Sequence, residues 1–248
     1  MDVVLEAVGL AKSFGAVKAA DDLSVKVHAG QIVGIVGPNG SGKTTFLNLV
    51  TGYVSPARGR IYYLGQDITG LHPRQVTRLG VARSFQIPQL YTSLTVQENM
   101  LLALAIRSGH EGDVWRPLET PSRLDEARPL LEKFGFGDET GLAVSTLPEG
   151  GRKLLDVALS FALGPRLLLL DEPTSGVSVA DKFRVMDTLI AVIRESGVTS
   201  VFVEHDMDVV QRYAERVLVF SEGRIIADDP PSALFADPVV RRYILGEE

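Results

Sequence analysis

The sequence predicts an α/β fold with an N-terminal antiparallel β subdomain and a helical insertion. Three observations carry this prediction. Gly30 to Gly37 is an apolar strand run that opens into a glycine-rich loop, and Phe46 to Gly52 follows as the start of a helix. Two further apolar runs, Leu167 to Leu170 and Ser200 to Val203, have the pattern of strands buried on both faces. Both ends of the chain alternate instead, with VVLEAVGL and AADDLSVKV near the start and RVLVF and RIIAD near the end.

In chain order, the first thirty residues read as antiparallel strands and Val33 to Val36 as the first buried strand. A helix follows over Thr44 to Val50, and Val81 to Ser84 is a short strand. Apolar residues at helical spacing cover Val96 to Ile106, Arg123 to Phe134, Arg152 to Leu163 and Ala180 to Glu195. Arg107 to Ser122 is rich in Gly, Pro and charge and reads as a loop. Glu222 and Gly223 separate the last two alternating runs, which is a hairpin signal. The helical patterns between Thr69 and Pro165 interrupt the strands. They place a helical insertion somewhere between Thr69 and Pro165; we expect a single domain over 1–248, with a core of 1–86 and 165–248 around a helical subdomain at 87–164.

The loop carries the chemistry. GPNGSGKTT, Gly37 to Thr45, fits the phosphate-binding pattern G-x-x-x-x-G-K-[ST] between a strand and a helix. Its glycines let successive backbone N–H groups point inward at phosphate oxygens, and the helix N-terminus adds its positive dipole end. Lys43 is placed to reach the β- and γ-phosphates, and the Thr44 hydroxyl to ligate Mg²⁺. A nucleotide site also needs an acid for the metal and a group that positions water. LLLLDEP supplies both: Asp171 ends the apolar strand as the Mg²⁺ carboxylate, and Glu172 follows as the residue that polarises water. VFVEHD repeats the arrangement and ends its strand at His205, in reach of the γ-phosphate. Gln86, after the Val81 strand, is a candidate to orient water or complete the Mg²⁺ shell. Phe14 has two readings, a platform for an adenine ring or a core side chain.

Composition limits the alternatives. A hydrophobic content of 45% and a charged content of 23% are those of a soluble globular protein. The net charge of −6 leaves no basic excess for general nucleic-acid binding. There are no cysteines, which excludes disulfides, thiolate zinc sites and cysteine nucleophiles. The N-terminal residues show no secretory pattern, and no apolar run approaches the ~20 residues that span a bilayer.

The phosphate loop, Gln86, the Leu147 to Gly151 segment before a helix, LLLLDEPTSG and VEHD occur in one order. That order resembles the nucleotide-binding subunits of ABC transporters over essentially the whole chain. The resemblance implies an α/β P-loop ABC ATPase core with ATP and Mg²⁺ as cofactors. It implies nucleotide contacts from Phe14 and from Gly37, Pro38, Asn39, Gly40, Ser41, Gly42, Lys43, Thr44 and Thr45. Two such subunits would dimerise head to tail, as a homo- or heterodimer, and sandwich two ATP molecules. Glu149 and Gly150, in the signature segment, would then meet the partner's nucleotide. Transmembrane permease subunits are the implied partners, with no nucleic acid. The implied location is peripheral, on the cytoplasmic face of the cell inner membrane.

RSFQIPQLYTSLTVQENMLLAL, DEPTSGVS, VEHDMDVV and the closing VVRRYILGEE are similar to the branched-chain amino-acid (hydrophobic amino-acid uptake) subfamily. The loop around Arg107 to Ser122 is similar to that of the larger of its two ATPase subunits. Urea-uptake and lipopolysaccharide-export ATPases look alike, and a soluble non-transport ABC ATPase is a further reading. The chain departs from the family twice. Its signature is LPEGG where LSGGQ is usual, so Pro148 replaces a serine and Gly151 a glutamine. Ser178 stands where many relatives carry an aspartate. The apolar stretch Ile87, Leu90, Tyr91, Leu94 and Val96 is a candidate groove for a short permease helix.

Overall fold

The computed structural model describes residues 2–109, 117–234 and 236. The middle of the Arg107 loop, 110–116, and the closing VVRRYILGEE segment lie outside the described residues. The chain opens on two long strands, β1 (Val3–Phe14) and β2 (Val17–His28). Next come β3 (Ile32–Val36), α1 (Lys43–Val50), β4 (Arg58–Tyr63), β5 (Gln66–Asp67), α2 (Pro73–Arg78) and β6 (Val81–Ser84). The helices α3 (Val96–Arg107), α4 (Pro121–Lys133) and α5 (Glu149–Ala162) follow. The chain then alternates: β7 (Leu167–Asp171), α6 (Val179–Ser196), β8 (Thr199–Val203), α7 (Met207–Tyr213), β9 (Arg216–Ser221), β10 (Arg224–Asp229) and α8 (Pro231–Leu234).

The strands form two sheets. The N-terminal sheet is antiparallel with order β2-β1-β4-β5. The central sheet has order β10-β9-β3-β8-β7-β6, and all its pairings are parallel except the β9–β10 hairpin at one edge. Glu222 and Gly223 take the expected turn with both φ angles positive, 48° and 78°, as a two-residue hairpin turn needs.

Residue parity explains why the buried runs are continuous. Along β7, Leu168 and Leu170 face the core shared with α3, α4, α5 and α6, while Leu167 and Leu169 face the core shared with α1 and the N-terminal sheet. β3 divides in the same way, Ile32 and Val36 on one side and Val33 and Ile35 on the other. A strand covered on both faces has no polar alternation left to show.

Two expectations are corrected, and one of the two readings of Phe14 is removed. The helix expected from Arg152 begins at Glu149, with Pro148 as its N-cap at φ −64°. A proline's fixed φ suits the entry to a helix, so the signature segment forms the first turn and not a loop before it. Val96, the first residue of α3, is fully buried, so it belongs to the core and not to a docking groove. Phe14 is 51% exposed, which removes its reading as a core side chain.

Candidate nucleotide-hydrolysing site

The central sheet places the site at the C-terminal ends of β3, β7 and β8, with Gln86 just beyond β6. That edge is where open α/β sheets bind ligands. Two glycines shape the phosphate loop. Gly37 sits at φ 148°, and a Cβ there would lie 2.2 Å from the Phe220 carbonyl oxygen and 2.9 Å from Ser41 Oγ. Gly42, the N-cap of α1, sits at φ 103°, and a Cβ there would lie 2.2 Å from the Ala19 carbonyl oxygen. A glycine cap offers no side-chain acceptor, so the first-turn N–H groups of α1 remain for an anion. Lys43 is buried and its Nζ donates to the carbonyls of Gly37, at 2.7 Å, and Pro38, at 3.0 Å. Burial pulls its ammonium below the usual range, opposed by the charges of Glu172 and Asp171. Ser41 Oγ is buried without a hydrogen-bond partner, an orphaned group inside the loop. Pro38, Asn39, Gly40 and Thr44 are exposed, and Thr45 is half-buried.

Three predicted residues converge. Gln86 Nε2 donates to Glu172 Oε2 at 2.8 Å, and His205 Nε2 lies 2.8 Å from Glu172 Oε1. Both carboxylate oxygens of Glu172 are thus held by side chains from different strand ends. Glu172 itself sits at φ 50°, a conformation a residue with a Cβ avoids. Such outliers concentrate where a side chain must be aimed, and the Glu172 N–H bond to Val203 O, 3.0 Å, pins this one.

Several participants carry no sequence signal of their own. Arg83, on β6, donates to Asp171 Oδ2 at 2.6 Å and to Asn48 Oδ1 of α1 at 2.6 Å. The Arg83 and Asp171 side chains are both only 5% exposed, so this is a buried ion pair. Glu204 is buried and accepts from the Thr174 N–H at 2.9 Å and its hydroxyl at 2.7 Å, tying the turn after Glu172 to the strand end before His205. Ser178 caps α6, accepting from the Asp181 N–H at 3.2 Å and donating to its carboxylate at 2.7 Å. Gly150 is buried, with Val185 Cγ2 3.1 Å from where a Cβ would stand, so it lets α5 pack closely on α6. Glu149 lies beside it, half-buried, with Arg152 at 3.6 Å.

The donor set fits Mg²⁺, which takes few protein oxygens and completes its shell with phosphate and water. With its amide nitrogen on Glu172, Gln86 keeps its carbonyl oxygen for a metal. With Oδ2 on Arg83, Asp171 keeps Oδ1. Thr44 adds an exposed hydroxyl at the start of α1. Among the described residues there is no cluster of three or more His, Cys, Asp or Glu that could hold a metal.

A glycine cradle at a helix start, with a clamped carboxylate at the end of a strand two places along the same sheet, defines a nucleotide-hydrolysing enzyme. The comparisons with known proteins agree. The ABC transporter family profile matches residues 20–175. The chain is 33% identical to the high-affinity branched-chain amino acid transport ATP-binding protein LivG of Escherichia coli K12, over 96% of both chains. It is 32% identical to BraF of Pseudomonas aeruginosa, described in the same words, over 98% of both chains. It superposes on the crystal structure of the ADP conformation of MJ1267, an ATP-binding cassette of an ABC transporter, with a TM-score of 0.87, 28% identity and full coverage of both chains. The chain belongs to the ABC transporter family, as an ATP-binding and ATP-hydrolysing subunit. Among the described residues no helix is long and apolar enough to cross a membrane.

Proposed function

We propose that the chain energises import of branched-chain amino acids by hydrolysing ATP at a site it shares with a second ATPase subunit. Full-length similarity to LivG and BraF supports the substrate class. The observation that carries the hydrolytic role is the clamp of Gln86 and His205 on Glu172. Bound Mg²⁺ would neutralise charge on the transferring phosphoryl group, with Thr44, Gln86 and Asp171 as its protein ligands. Lys43 and the loop amides hold the β- and γ-phosphates. Glu172 orients the attacking water and takes its proton, and His205 keeps the Glu172 carboxylate aimed while facing the γ-phosphate. Exposed Phe14, with Lys12 Nζ 5.5 Å from its ring centroid, offers a face for the adenine.

Closure of the dimer has to reach a permease. Ile87 and Tyr91, 75% and 64% exposed, follow Gln86 directly and suit a short apolar helix of that partner. The subunit then sits peripherally on the cytoplasmic face of the membrane. Reconstitution with co-purified permease subunits in vesicles tests the whole reading: ATP-driven uptake of leucine is expected. Uptake of urea or no amino acid would overturn the substrate class.

A further inference from the structure

We propose that Lys153, braced by Asp156, is a positioning residue that fixes this chain's own hydrolytic machinery from the signature helix. The inference rests on the reading of Glu172 as the water-orienting base. Lys153 is buried on α5, one turn beyond Glu149 and Gly150. Its Nζ donates to two main-chain carbonyls, those of Gln86 and of Glu172, the latter at 3.2 Å. These are the two residues whose side chains meet at the base. One ammonium therefore fixes both backbones at the point where their side chains must align.

Asp156, three residues further along α5 and on the same face, completes the grip. Its Oδ2 accepts the Phe85 N–H at 3.2 Å and its Oδ1 the Gln89 N–H at 2.9 Å. The loop that bears Gln86 is thus held on either side by one carboxylate and in its middle by one ammonium. Ser160, the next residue on that face, donates to the Arg83 carbonyl at 3.2 Å. A packing-only role would not require a buried ammonium directed at two carbonyls, because taking a charge out of water is unfavourable unless specific partners offset it.

The arrangement has a consequence for the dimer. Glu149 and Gly150 are the residues assigned to the partner's nucleotide, and Lys153 lies about 5 Å further along the same rigid helix. The turn that a partner's ATP would grip is the turn that holds this chain's base. Movement of α5 at one site changes the geometry of water attack at the other.

The test compares full-length wild type with Lys153→Met, Lys153→Arg and Glu172→Gln, measuring ATP hydrolysis and equilibrium MgATP affinity. Lys153→Met is expected to lower kcat by about tenfold or more while KM and the nucleotide Kd stay within about twofold. Lys153→Arg, which keeps a buried donor and charge, is expected to restore most of kcat. A wild-type kcat in Lys153→Met, or parallel loss of kcat and nucleotide affinity, overturns the proposal. So does failure of Lys153→Arg to rescue. If the Met variant does not fold, Lys153→Gln is read by the same criteria. Glu172→Gln separates the two levels: if it hydrolyses normally, the base assignment fails; if it is inactive and Lys153→Met is not impaired, the positioning role alone fails.

Discussion

Arg83 shows how the site balances buried charge. Its guanidinium faces Asp171 on one side and Asn48 on the other, and its Nε has no partner among the described residues. The pair joins β6, β7 and α1, the three elements that must hold still around a phosphate. Breaking one half of a buried ion pair leaves the other half uncompensated. Arg83→Met is therefore expected to destabilise the fold by about 3–5 kcal/mol, measured by urea unfolding without nucleotide. A loss below about 1 kcal/mol would mean that Asp171 is compensated some other way. The sequence made Asp171, Glu172, Lys43, Gln86 and His205 legible, because each stands beside a strand end or in a recognisable loop. It did not make Arg83, Lys153, Asp156 or Glu204 legible. The partners named above are backbone atoms and side chains 19 or more positions away, and only the packed fold brings those together.

Elements were legible in proportion to their burial pattern. The continuous strands and the longer helices α3, α5 and α6 announced themselves through periodicity. The short elements β4, β5, α2 and α7 did not. In β4 only Ile61 and Tyr63 are buried, after two exposed arginines, and α2 buries Val76 alone. Such stretches take their form from what they pack against, not from their own pattern. Helix α5 also carries a pH response. Burial is the first cause that raises the Asp156 carboxyl from 3.8 to about 6, against its bonds from Gln89 and Phe85 and the charge of Lys153. The folded chain then holds this proton more tightly than the unfolded chain. The stabilising effect of protonation is complete below pH 3.8 and is lost as pH rises to about 6, a total of about 3 kcal/mol. Unfolding free energies across that window are expected to fall with pH more steeply for wild type than for Asp156→Asn. Parallel slopes would show that Asp156 ionises normally.

For the whole molecule, the proposed function has this chain completed by a second ATPase subunit. In the proposed shared site its phosphate loop takes a signature segment from that second subunit, and its own LPEGG is a poor donor. Pro148 is the N-cap of α5 with no side-chain hydrogen bond, where a serine hydroxyl would face the γ-phosphate. Proline has no N–H to offer instead. A homodimer is therefore expected to hydrolyse ATP slowly. An equimolar mixture with the partner ATPase of the same transporter is expected to show a higher specific rate than this chain alone, and equal rates would contradict that asymmetry.

In the proposed mechanism, ATP hydrolysis depends on Glu172 held between Gln86 and His205. The most direct measurement is single-turnover hydrolysis by Glu172→Gln, loaded with radiolabelled ATP and Mg²⁺. Nucleotide affinity is expected to stay within about threefold of wild type while cleavage slows by about a hundredfold or more. Cleavage at the wild-type rate, with ATP bound normally, would contradict it.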